Sequence, residues 1–224
     1  MADKVINSFS DLHAAVEAYG DSIIIYRGVK DKDFKLVPKI GRYKKFKGMT
    51  PDAVEREEKN MLRLFRERTW STLPDTKWTS WELLALAQHH GMPTRLLDWT
   101  RNPLIGSYFA VEDECDSDSV VYAFHHTTFI DIEKHRDPFK RKSIGKFIPN
   151  HITQRITAQA GIFTIHPDPR VPLASTDIDR LIIPKAKRRS LKKTLFRYGI
   201  HRASLFPDLD GLARHIGWLR TDEF

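Results

Sequence analysis

The run Gln88-His89-His90-Gly91-Met92-Pro93-Thr94-Arg95-Leu96-Leu97-Asp98-Trp99-Thr100 concentrates two imidazoles, a guanidinium, a carboxylate, an indole and two hydroxyls between apolar segments. A polar group buried without a partner costs roughly 1–3 kcal/mol, so this density of polar side chains reads as a site. A second polar cluster, Tyr26-Arg27-Gly28, follows an apolar run. Arg27 is a permanent cation with a planar fork suited to a diphosphate, or else to pairing with Asp98. Tyr26 and Trp99 offer aromatic faces for a cationic ring, or else packing in the core. Thr100 offers a hydroxyl that can hydrogen-bond a ligand or cap the helix beginning at Asn102-Pro103. His89 or His90 can act in acid–base chemistry near neutral pH, or meet a helix dipole.

Other chemistries are set aside. The chain has no Walker or Rossmann glycine loop and no Gly-x-Ser-x-Gly. Cys115 lies in an acidic turn that disfavours a thiolate. The pairs His89-His90 and His125-His126 stand without an HExxH or CxxC, so no metal site is expected. Glu57 falls on the inner side of a helix with Val54, Met61, Leu62 and Phe65, where the ordinary use is as a partner for an Arg.

The positioning elements follow from periodicity and caps. Ser8 and Asp11 form a capping box ahead of Phe9, Leu12, Val16 and Tyr19, and Gly20 stops that helix. Ser22–Tyr26 reads as a buried central strand ending at Arg27-Gly28. Thr50-Pro51 opens a helix. Thr79 and Glu82 cap another, which contains Leu83, Leu84, Leu86 and Ala87 and ends at Gly91. Thr94–Asp98 is extended, and Leu104, Ile105, Tyr108 and Phe109 pack the next helix. Val120–Phe124, Gly161–Ile165 and Arg180–Ile183 read as strands. A basic excursion spans 127–150, and a basic helical region spans 185–221. Within it Leu191, Leu195 and Tyr198 share one side of a first helix, and Leu209, Leu212, Ile216 and Leu219 form the packing stripe of a last one. Helices in runs between isolated strands give an α+β class, a single domain over 1–224 with a mixed central sheet flanked by helices.

The 224 residues are 41% hydrophobic with 13 Phe and 5 Trp, enough for a core and too apolar for disorder. No stretch approaches the ~20 apolar residues of a membrane helix. There is no secretory leader, and the single Cys excludes an intrachain disulfide; both lead to the expectation of a cytoplasmic protein off the membrane. The net charge of +8 favours polyanions, or else simply solvates the surface. Its clusters are Lys39–Lys47, Lys134–Lys146 and Lys185–Arg197, and Lys185, Lys187, Arg188, Arg189, Lys192 and Lys193 are expected to form an exposed nucleic-acid-contacting face.

Tyr26-Arg27-Gly28, the Gln88–Thr100 run and Gln154–Phe163 closely resemble the FRG domain family, named for an aromatic-Arg-Gly motif. Asn102-Pro103, Phe109-Ala110-Val111-Glu112 and Leu205-Phe206-Pro207-Asp208-Leu209 extend that likeness over nearly the whole chain. The order of features also resembles ADP-ribosyltransferases of the Arg–Ser–Glu type. In that resemblance Arg27 holds the diphosphate of NAD, and Leu96–Thr100 with the Pro103–Val111 helix supplies the second motif. Gln159 stands where the family's third motif has a strand-borne Glu; a neutral amide can hydrogen-bond a ribose without supplying charge, or a carboxylate from elsewhere such as Glu57 fills that position. The resemblance implies an ADP-ribosyltransferase-like fold and NAD as substrate. Its implied catalytic residues are Arg27, Thr100, Gln159 and His89, and its implied NAD-binding residues are Tyr26, Arg27, Gly28, Trp99 and Thr100. It further implies a toxin or phage-defence role, acting on nucleic acid or a protein acceptor, with an antitoxin as a further partner. The alternative is a non-enzymatic nucleic-acid or nucleotide-binding module.

Overall fold

A computed structural model describes residues 3–69, 78–125, 128–149 and 154–221. Its helices are α1 (Phe9–Glu17), α2 (Lys44–Lys47), α3 (Pro51–Thr69), α4 (Ser80–His89), α5 (Pro103–Val111), α6 (Gln154–Ala158), α7 (Lys185–Arg197), α8 (Arg202–Leu205) and α9 (Leu209–Thr221). Its strands are β1 (Asp3–Val5), β2 (Ile25–Val29), β3 (Leu96–Thr100), β4 (Ser119–Phe124), β5 (Gly145–Phe147), β6 (Gly161–Ile165) and β7 (Ile178–Ile183). They form one mixed seven-stranded sheet in the order β1-β7-β4-β2-β3-β6-β5, so the fold is α+β. The β1–β7 pair is parallel, and the other neighbours run antiparallel.

The expected caps are present. Ser8 accepts from the Asp11 amide while Asp11 caps back, and Thr79 and Glu82 do the same for α4. Gly91 leaves α4 at φ +89°, a left-handed conformation that glycine adopts without a Cβ clash. Asn102 caps α5 through the amides of Leu104 and Ile105.

Alternation along the strands gives the sheet two buried faces. Val121, Ala123, Leu181 and Ile183 pack under α1, α5, α7 and α8. On the same side, beyond β2, Leu96, Phe163 and Ile165 pack under α3 and α4. The opposite face carries Ile25, Leu97, Trp99, Val120, Tyr122, Phe124 and Ile162 beneath Leu36 and Leu173.

The sheet is split at its middle. β2 pairs with β4 from Ile25↔Phe124 to Val29↔Val120, and β3 with β6 from Leu96↔Ile165 to Thr100↔Gly161. Among the described residues β2 and β3 meet at the single pair Tyr26↔Thr100, then diverge. That seam separates the two helical groups.

Several expectations are corrected. The first central strand starts at Ile25, and Ile23 lies before it, 57% exposed. Tyr198 is 61% exposed, because it follows the last turn of α7 and stacks on Phe9 at the surface. The stripe Leu209, Leu212, Ile216 and Leu219 faces outward, while α9 packs through Gly211 and His215. The reason is the surface offered by α7 and α8: the His215 ring stacks on His201 at 4.2 Å, and Trp218 meets Phe196 at 5.5 Å. The 127–150 excursion contains β5, whose Lys146 is buried with its ammonium over the Phe129 ring. Thr127, Asn150 and His126 lie outside the described residues.

Candidate functional site

The β2–β3 seam opens into a cleft of about 300 Å³ between the end of α4, α5 and α6. Strand divergence leaves ladder groups to be satisfied by other means. Arg27 meets that need: its Nη1 donates to the Asp98 carbonyl at 2.5 Å and lies 3.6 Å from Asp98 Oδ2. Arg27 is therefore both a tie across the split sheet and a guanidinium at a cavity wall, with 19% of its side chain exposed.

All seven residues assigned to the site from sequence line this one cleft: Tyr26, Arg27, Gly28, His89, Trp99, Thr100 and Gln159. Their local roles differ from one another. A Cβ on Gly28 would lie 2.0 Å from the Gly106 carbonyl oxygen and 2.4 Å from the Ala110 nitrogen. Glycine there lets α5 lie directly on β2. The Trp99 ring belongs to the core: its indole N–H donates to Thr164 at 2.9 Å, and the ring tilts against Phe124. Tyr26 is buried, and burial raises its phenol pKa to about 12, so it is a neutral phenol at physiological pH. The Thr100 hydroxyl accepts from the Asn102 amide, shaping the turn before α5. The Gln159 side-chain amide donates to the Leu205 carbonyl at 3.1 Å.

His89 does not titrate near neutrality. Burial, then Arg155 and His90, pull its pKa down to about 4, so the imidazole is neutral at pH 7. The Asp98 side chain is 59% exposed, so removing Arg27 strands no buried carboxylate.

The motif residue that does pair internally is Arg95. Its amide and Nε donate to Glu58 at 2.7 and 2.8 Å, both side chains are buried, and the guanidinium lies over Phe139. The inner carboxylate of α3 is thus Glu58. Glu57 sits one residue around the helix, at the surface, and pairs with Lys45 at 2.7 Å. Neither reaches the cleft.

Sequence reasoning missed Arg155 and the lining role of Phe109. Arg155 reaches the cleft from α6, with its guanidinium 4.1 Å from the Phe206 ring centroid. Its place inside the Gln154–Phe163 stretch was the available signal. Gln88, which opens the motif, donates from its side-chain amide to Asp98 Oδ1 at 2.7 Å.

The expected basic face is also corrected. Arg188 and Lys192 point inward. Arg188 donates to the carbonyls of Cys115 and Asp113, and Lys192 to that of Glu112 at 2.6 Å. Burial pulls the Lys192 pKa down to about 8. Both residues share the inner stripe of α7 with Leu191 and Leu195, where their cations satisfy the carbonyls that follow α5. Lys185, Lys187, Arg189 and Lys193 are exposed, and Lys185 pairs with Asp116. Among the described residues no group of three His, Cys, Asp or Glu is placed to hold a metal ion, and no helix is long and apolar enough to cross a membrane.

Residues 22–119 match the FRG domain family. That match covers 98 of the 224 residues. The matched segment holds β2, α4, β3 and α5, hence Arg27, His89, Asp98 and Thr100. Arg155 and Gln159 lie beyond it. No curated protein and no solved structure matches the chain.

Proposed function

We propose that the FRG-domain cleft binds NAD, cleaves its glycosidic bond and transfers ADP-ribose, on an ADP-ribosyltransferase-like arrangement of the sheet. The supporting observation is the meeting of Arg27, Thr100 and Gln159, distant in sequence, in one cleft at the split between β2 and β3. Arg27 and Arg155 supply two guanidinium groups to a wall that otherwise presents aromatic and amide groups, which suits a diphosphate joined to aromatic bases. The chain's residues bind and orient, and rate comes from position and electrostatics. The acceptor is nucleic acid or protein, and the exposed Lys187, Arg189 and Lys193 favour a nucleic acid. A toxin or phage-defence effector held by an antitoxin is the setting this activity would fit.

The test is nicotinamide release from NAD by the full chain, with DNA, RNA or protein as acceptor. Release that disappears in Arg27→Ala, while the variant still melts cooperatively, supports the reading. A folded wild-type protein that releases none with any acceptor rejects it.

A second reading has its own observation. The Gln159 amide is already engaged by the Leu205 carbonyl, which makes the third position a structural tie. On that reading the cleft binds a nucleotide without turnover. NAD then raises the melting temperature and stays intact.

A further inference from the structure

The cleft also holds a fixed carboxylate. Among the described residues lining it, Asp98 is the one carboxylate, facing the guanidinium groups of Arg27 and Arg155. It is also held in place. Gln88 Nε2 donates to Asp98 Oδ1 at 2.7 Å, and the Thr94 hydroxyl donates to Gln88 Oε1. Thr94 is itself buried and accepts from the Leu96 amide at 3.2 Å, which fixes it to the start of β3. Oδ2 is 3.6 Å from Arg27 Nη1, beyond hydrogen-bond length, so this oxygen is turned toward the cation without being consumed by it. At a mostly exposed aspartate the ion pair with Arg27 contributes little, about 0–1 kcal/mol. The relay does fix one oxygen at the mouth of a cationic cleft.

We propose that Asp98 is the catalytic carboxylate of this cleft, with Gln88 and Thr94 as its positioning residues. This rests on the NAD-cleaving reading above. As the bond between C1′ and the nicotinamide nitrogen breaks, both electrons leave with the nitrogen, and nicotinamide departs neutral. Positive charge spreads over C1′ and the ring oxygen, and a fixed carboxylate is the group that stabilises such a centre. An acceptor hydroxyl or amine, or water, then donates its lone pair to C1′, and its proton passes to Asp98 and on to solvent. NAD and the protonated acceptor thus give ADP-ribosylated acceptor, nicotinamide and one proton. Arg27 and Arg155 meanwhile keep the diphosphate apart from Asp98.

Full-length wild type, Asp98→Asn, Asp98→Ser and Gln88→Ala are compared in two measurements, the NAD-induced rise in melting temperature and nicotinamide release. Both Asp98 variants should keep the NAD-induced rise and lose release by about 10²–10³-fold, the usual loss when a charge-stabilising group is removed. Gln88→Ala should lower kcat with KM unchanged, because Asp98 is present but no longer held. Wild-type release rates in a folded Asp98→Asn or Asp98→Ser overturn the proposal while the NAD reading stands. Loss of the NAD-induced rise in both variants also overturns it, by making Asp98 a binding residue. Absence of both NAD binding and release in the wild type removes the reading and Asp98's role together.

Discussion

Arg27 serves the fold and the site with one side chain. Its guanidinium satisfies the Asp98 carbonyl where the ladder between β2 and β3 ends, and the residue also lines the cleft. Because Asp98 is exposed and Gln88 also holds it, Arg27→Ala should stay folded, losing about 1 kcal/mol by urea denaturation. The same variant should lose the NAD-induced melting shift, with affinity down roughly tenfold to a hundredfold for one charged hydrogen-bonding group. An unfolded Arg27→Ala would show instead that the tie is its main purpose. The convergence of Arg27, Thr100 and Gln159 on one cleft was legible because the first two lie on short apolar strands and the third directly precedes one. Glu58 was not, because a helix turns about 100° per residue and neighbouring positions compete for the same face. Arg95, 37 positions away, selects Glu58 over Glu57, and nothing local announces that choice.

At the scale of elements, the glycines of β2 and α5 decide where the cleft opens. Gly28 admits the α5 backbone, and a Cβ on Gly106 would lie 2.9 Å from the Tyr26 Cβ, so strand and helix meet closely and the opening falls on the β3 side. The C-terminal helices show the limit of periodicity. A helical stripe in the sequence identifies a face, and the neighbouring element decides which face is buried. In α7 the inner stripe includes two cations because the Glu112, Asp113 and Cys115 carbonyls need donors there. In α9 the aliphatic stripe loses to His215 and Trp218, which find ring partners on α7 and α8. Leu212→Glu and Ile216→Glu should therefore shift stability by no more than about 0.5 kcal/mol. Leu195→Ala, in the fully buried stripe of α7, should cost about 2–5 kcal/mol. Equal losses for the two helices in urea melts would contradict this packing.

At the scale of the molecule, buried imidazoles couple folding to pH. His166 is buried, and burial followed by Arg27 pulls its pKa down to about 4 from an ordinary 6.5. The unfolded chain therefore takes up its proton first as pH falls. The contribution of a neutral His166 is fully present above pH 6.5 and is lost progressively toward pH 4. The stability difference between wild type and His166→Gln should be constant from pH 7 to 8 and shrink as pH drops from 6.5 to 4. A difference that grows on acidification would contradict a lowered pKa. The central strands were legible from apolar runs; their order was not. The split between β2 and β3 was not, since it arises from pairing between strands about 70 residues apart and from a side chain that replaces a ladder bond.

The most direct test of the NAD site is a crystal structure of the full chain with ADP-ribose at millimolar concentration. The diphosphate is predicted to lie within hydrogen-bond distance of the Arg27 guanidinium, with Arg155 on its other side and the terminal ribose between Thr100 and Asp98. A ligand bound elsewhere, or an empty cleft in a crystal whose packing leaves it open, would contradict the account.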